Sequence, residues 1–133
     1  MVSQTEDVDV ERGRPTVLVV EDDPELREIY RLWLQREYDV ETATDGDVDI
    51  EPLDHAVDIV LTDREMPGVD GDSLLSRLRS TDTSVPVVSI SGSDDASKTA
   101  YSFDDRLRKP IRQSNLLDTI EAQVSRTPLV AED

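Results

Sequence analysis

Five short runs, TVLVV (16–20), YDVETAT (38–44), VDIVLT (57–62), VPVVSIS (85–91) and RLRKP (106–110), alternate with stretches long enough to hold a helix. This alternation constrains the fold more than any other feature. It predicts an α/β domain, doubly wound: one five-stranded parallel sheet, helices on both faces, right-handed crossovers, and any functional site at the carboxyl ends of the strands. VDIVLT is nearly all apolar, as a central parallel strand should be. RLRKP has one inward residue, Leu107, between two arginines, and reads as an edge.

The intervening segments predict five helices. Asp23 and Pro24 form an N-cap and a first-turn proline, and Leu26, Ile29, Tyr30 and Trp33 then share one apolar face. The second helix, within 47–56, should be short or broken, because Pro52 costs a helix interior about 3 kcal/mol. Leu74, Leu75 and Leu78 mark the third, residues 94–102 a weakly amphipathic fourth, and Leu116, Leu117, Ile120 and Val124 the last. Residues 1–14 read as a flexible acidic tail, 15–125 as the domain, and 126–133 as a linker or tail to which an effector domain could be joined.

Composition narrows the function classes. A chain of 133 residues is one domain. It has no cysteine and a single histidine, His55, which excludes disulfides and thiolate metal sites and leaves no histidine-based zinc site; His55 reads as a helix-end or loop residue. No apolar run is long enough to span a membrane, and the N-terminus has no signal-like pattern, so a cytoplasmic location is expected. The net charge of -17 disfavours direct binding to nucleic acid or to anionic membrane surfaces. Only two of the 14 cationic residues are lysines, Lys98 and Lys109, and aspartate outnumbers glutamate. Such a surface suits a cytoplasm of molar salt, where the Debye length falls to roughly 3 Å, and points to a halophile.

The strand ends carry the chemistry. The first run ends in Glu21-Asp22-Asp23, the third in Asp63, the fourth in Ser91 and the fifth in Lys109-Pro110. If the first and third strands are neighbours, their acids meet in one crevice, and crowded carboxylates need a counter-charge. An oxygen-only, carboxylate-rich site suits Mg²⁺, with Lys109 supplying part of the compensation in its absence. The same set suits phosphoryl transfer: a carboxylate nucleophile, a metal, a cation for one phosphoryl oxygen and a hydroxyl for another. Asp23 reads as a cap, and Asp58, Asp70, Asp72, Asp94, Asp104 and Asp105 as solvated surface or caps.

Taken together, VVEDDPE, VLTDREMPGVDG, PVVSISG and RKPI closely resemble the receiver domain of two-component response regulators, over roughly residues 15–125. The resemblance implies a flavodoxin-like sheet ordered 2-1-3-4-5 and phosphorylation of an aspartate by a sensor histidine kinase, with no catalysis beyond the domain's own phosphoryl transfer and autodephosphorylation. By position, Asp63 matches the phosphoacceptor, Ser91 the switch hydroxyl and Lys109 the phosphate-binding lysine. Asp22 and Asp63 match the Mg²⁺ ligands, with Glu21 acting through water and Glu65 through its backbone carbonyl. A cis peptide is implied at Pro110. Phosphorylation would draw Ser91 inward and reshape the surface of helix four, strand five and helix five, toward an effector domain, a downstream protein or a second copy of the chain.

The chain departs from the family pattern on the output side. Arg106 stands where strand five usually carries an aromatic ring, Gly92 replaces a common alanine, and Ser102 replaces a glycine. Glu65 and Ser93 flank the expected water approach and would set the phosphate lifetime. Two alternatives stay open: a phosphorylation-independent binding module, favoured by Arg106, and a Mg²⁺ phosphohydrolase with Glu65 as general acid.

Overall fold

The computed structural model describes residues 14–49, 56–81, 83–92 and 102–125, together with the helical backbone of 126–132. Five strands, β1 (Thr16–Val20), β2 (Asp39–Ala43), β3 (Ile59–Asp63), β4 (Val87–Ser91) and β5 (Asp105–Arg108), form one sheet. All pairs are parallel and the order is β2-β1-β3-β4-β5. This is the expected doubly wound α/β architecture. Among the described residues there are three helices, α1 (Pro24–Leu34), α2 (Gly71–Ser80) and α3 (Gln113–Glu132). The acidic residues 1–13, Pro52 and His55 of the expected second helix, and 93–101, which hold Ser93 and nearly all of the expected fourth helix, lie outside the described residues.

Strand burial follows position in the sheet. β3 and β4 are buried at every residue and β1 at all but its first, whereas the edges β2 and β5 are only half-buried or exposed. Central strands are covered on both faces and therefore read as continuous apolar runs. On one face Val17, Val19, Ile59, Leu61, Val88 and Ile90 pack against Tyr30 and Leu34 of α1 and Leu116 and Ile120 of α3. On the other, Leu18, Val20, Val60 and Val87 pack against Leu74, Leu75 and Leu78 of α2. Each of these three leucines is fully buried, which stabilises the fold by about 2 kcal/mol apiece before entropy is counted.

The helix ends are held by identifiable groups. Asp23 caps α1 by accepting from the amides of Glu25 at 2.9 Å and Leu26 at 3.4 Å, as its position predicted. At the far end of α1 the Arg14 guanidinium donates to the carbonyls of Gln35 at 2.7 Å and Tyr38 at 3.0 Å. Asp70 caps α2 through the Ser73 amide at 2.9 Å. One detail differs from expectation. The buried side of α1 is centred on Tyr30 and Leu34, not on Ile29, which is 38% exposed. α3 runs to Glu132, so the backbone of 126–132, the expected linker or tail, is helical; Pro128 removes one amide donor without ending the helix.

Candidate functional site

Register brings the acids together. Val20 of β1 is paired with Thr62 of β3, so the next residues, Glu21 and Asp63, stand side by side at the strand ends. Side chains alternate along a strand, and the alternation that puts Val17, Val19, Ile59 and Leu61 in one core carries Glu21 and Asp63 to that same side. Glu21 is 0% and Asp63 4% exposed; Asp22, one residue on, is exposed. Carboxylate oxygens of Glu21, Asp22 and Asp63 all lie within 4.8 Å of one another. The three expected acids thus meet in one crevice.

Lys109 follows β5, where its amide donates to the Ser91 carbonyl at 2.9 Å, and the peptide bond between Lys109 and Pro110 is cis, as implied. Its Nζ donates to Asp63 Oδ2 at 2.8 Å and lies 3.8 Å from Glu21 Oε1. Burial alone would lower the Lys109 pKa, but the hydrogen bond to Asp63 and the charges of Asp63, Glu21 and Asp22 outweigh it and raise it. The other Asp63 oxygen, Oδ1, accepts from the Glu65 amide at 3.1 Å. Ser91 closes β4, 8% exposed.

Glu21 is the strained member of the group. Burial pushes its carboxyl up to about 7, opposed by the hydrogen bond from the Asp23 amide and reinforced by the neighbouring Asp63. Its Oε1 is buried with no hydrogen-bond partner among the described residues. A buried carboxylate oxygen without a donor, beside two more carboxylates, suits a hard cation reached directly or through water. The donor set therefore fits Mg²⁺.

Glycine is required where α2 starts against the site. A Cβ on Gly71 would collide with the Asp63 carbonyl oxygen and come within 2.9 Å of the Arg64 Cα. Gly68, in the turn before it, has φ +82, a region that L side chains rarely adopt. These two glycines let the loop after β3 fold tightly back onto Asp63.

Residues 17–121 match the response regulator receiver domain family. The chain belongs to that family. Among its relatives, a putative transcriptional regulator of Haloferax volcanii is 37% identical over 84% of this chain but only 19% of its own length. The response regulator GtcR of Aneurinibacillus migulanus is 32% identical, also over 84% of this chain and 48% of its own length. The chain thus spans less than half of either relative. The receiver fold also matches that of a sensor histidine kinase receiver domain from Pseudomonas aeruginosa PAO1, with a TM-score of 0.76 at 21% identity, covering 85% of this chain and 99% of that one. That structure is described as having a magnesium ion coordinated in its active site cleft.

One part of this receiver differs from what its sequence suggested. Asp72, read as surface or cap, is buried and forms a bidentate ion pair with the equally buried Arg64. A first-turn aspartate normally serves the helix end, and the chain's return past Arg64 gives it another partner; no local pattern in DREMPGVDG marks that pairing. Arg106, the departure in β5, is exposed on the edge strand and forms no ion pair among the described residues. No helix among the described residues is long and apolar enough to cross a membrane.

Proposed function

We propose that this receiver is a phosphorylation-dependent switch in which Asp63 accepts a phosphoryl group from a phosphohistidine of a sensor histidine kinase. The observation that carries the reading is the Asp63 carboxylate, buried at a strand end, held by Lys109 at 2.8 Å and grouped with Glu21 and Asp22. Mg²⁺, held by Asp22, Asp63, the Glu65 backbone carbonyl and, through water, Glu21, would supply charge neutralisation for the phosphoryl oxygens. An Asp63 oxygen attacks phosphorus as the bond to the donor nitrogen breaks. Lys109, already hydrogen-bonded to Asp63, is placed to receive the negative charge of a phosphoryl oxygen, and the Ser91 hydroxyl receives another.

A donor must reach Asp63 past Lys109. Beside that lysine a cavity of about 550 Å³ is lined by Leu26, Ile29 and Trp33 of α1 and by Pro110 and Ile111. An apolar landing next to a charged reaction centre suits a kinase helix that presents its histidine at the rim. Phosphorylation then alters the surface of β5, α3 and the segment expected as the fourth helix, for an effector domain, a downstream protein or a second copy. The site works in the cytoplasm, without contact to nucleic acid or membrane.

Acetyl phosphate with Mg²⁺ at high salt tests the switch: the chain should be labelled, with labelling abolished in Asp63→Asn and by chelation. A second reading, a phosphorylation-independent binding module, rests on Arg106, which lacks the ring that couples strand five to the site. Absence of labelling under those conditions would select it. Small-angle scattering with and without beryllofluoride would reveal phosphorylation-linked dimerisation.

A further inference from the structure

Immediately after Asp63 the chain buries an arginine. Arg64 is 7% and Asp72 5% exposed, and the guanidinium grips both carboxylate oxygens, Nε to Oδ1 at 3.0 Å and the terminal nitrogen to Oδ2 at 3.2 Å. The Arg64 amide donates to the Ile90 carbonyl of β4 at 2.9 Å, and its carbonyl accepts from the Gly71 amide at 3.1 Å. Its guanidinium carbon lies 5.9 Å from the centre of the Phe103 ring, just before β5. One residue is thereby tied to β4, to the first turn of α2 and to the approach to β5. Residues 65–70 form a loop closed at its stem by Arg64, and that loop begins with Glu65, whose amide holds Asp63 Oδ1.

Stability does not account for such a pair. Removing two charges from water is costly, and apolar residues of similar volume usually serve a core as well or better. What a two-pronged arginine–carboxylate contact supplies is a fixed relative orientation of the two backbones that carry it.

We propose that Arg64, locked by Asp72, is the positioning residue of the acceptor loop, fixing the backbone of 63–71 so that Asp63 and Glu65 face the cation and phosphoryl group together. This rests on the phosphoacceptor reading. Arg64 touches neither reacting group; it acts through the loop it closes.

Two variants of the full chain at high salt test the role: Arg64→Leu combined with Asp72→Leu, which removes both charges, and Arg64→Lys, which keeps the charge but loses the planar grip. The double variant should unfold at or above the parent's temperature. It should also bind Mg²⁺ roughly 10-fold to 100-fold more weakly by calorimetry, the usual effect of losing groups that orient ligands, and exchange the amides of 65, 66 and 68–71 faster. Arg64→Lys should bind Mg²⁺ at least about threefold more weakly than the parent but more tightly than the double variant. The proposal is overturned if either folded variant binds Mg²⁺ within about twofold of the parent, or if Mg²⁺ affinity falls only in step with unfolding temperature. Should the double variant fail to fold, Arg64→Lys decides by the same criterion. A parent that neither binds Mg²⁺ nor accepts label overturns the phosphoacceptor reading itself, a result distinct from a working parent with working variants.

Discussion

Glu21 shows how one side chain can serve function against stability. Its carboxyl, at about 7 in the folded chain against 4.5 for a free glutamate, binds a proton in the fold that the unfolded chain has already lost. Its contribution is therefore fully present below pH 4.5 and is lost as pH rises through 7, where the folded protein must hold the charge. Glu21→Gln keeps the shape without the charge. In Mg²⁺-free protein it should raise stability at pH 8 by about 2 kcal/mol and flatten the pH dependence between 4.5 and 7, as measured by denaturant unfolding, while weakening Mg²⁺ binding. A variant no more stable than the parent at pH 8 would show that Glu21 is not strained. The sequence revealed the crowding of Glu21, Asp22 and Asp63, but not its extent: which oxygen lacks a donor depends on a register that no local pattern encodes. Asp72 is the converse case, a residue with an ordinary position in a helix and an unusual neighbour across a tight loop.

At the scale of elements, periodicity identified α1 but misplaced its inner face by part of a turn. Ile29 and Leu34 make the comparison directly, since both are large and apolar but Leu34 is 0% and Ile29 38% exposed. Leu34→Ala should cost about 2–5 kcal/mol in chemical unfolding, and Ile29→Ala under about 1 kcal/mol. Equal losses would mean that the face expected from spacing is the packed one after all. The strands were easier to read because each is short, bounded and paired in parallel, so a central run is apolar throughout. Their order was legible only through the family resemblance, since a sequence of alternating elements permits several windings.

For the whole molecule, the surface charge sets the working conditions. A chain at -17 repels itself in dilute buffer, and its short carboxylates and scarce lysines match high salt. Circular dichroism across a salt series should show the fold weakening as ionic strength falls below about 0.1 M, where the Debye length exceeds roughly 10 Å. Full structure in dilute buffer would remove the halophile reading. Trp33, the chain's single tryptophan, stands in the wall of the cavity beside Lys109. Its emission is consequently a built-in optical probe of that recess: a visitor that displaces water there should shift the spectrum to the blue, and no dye need be attached to see it arrive.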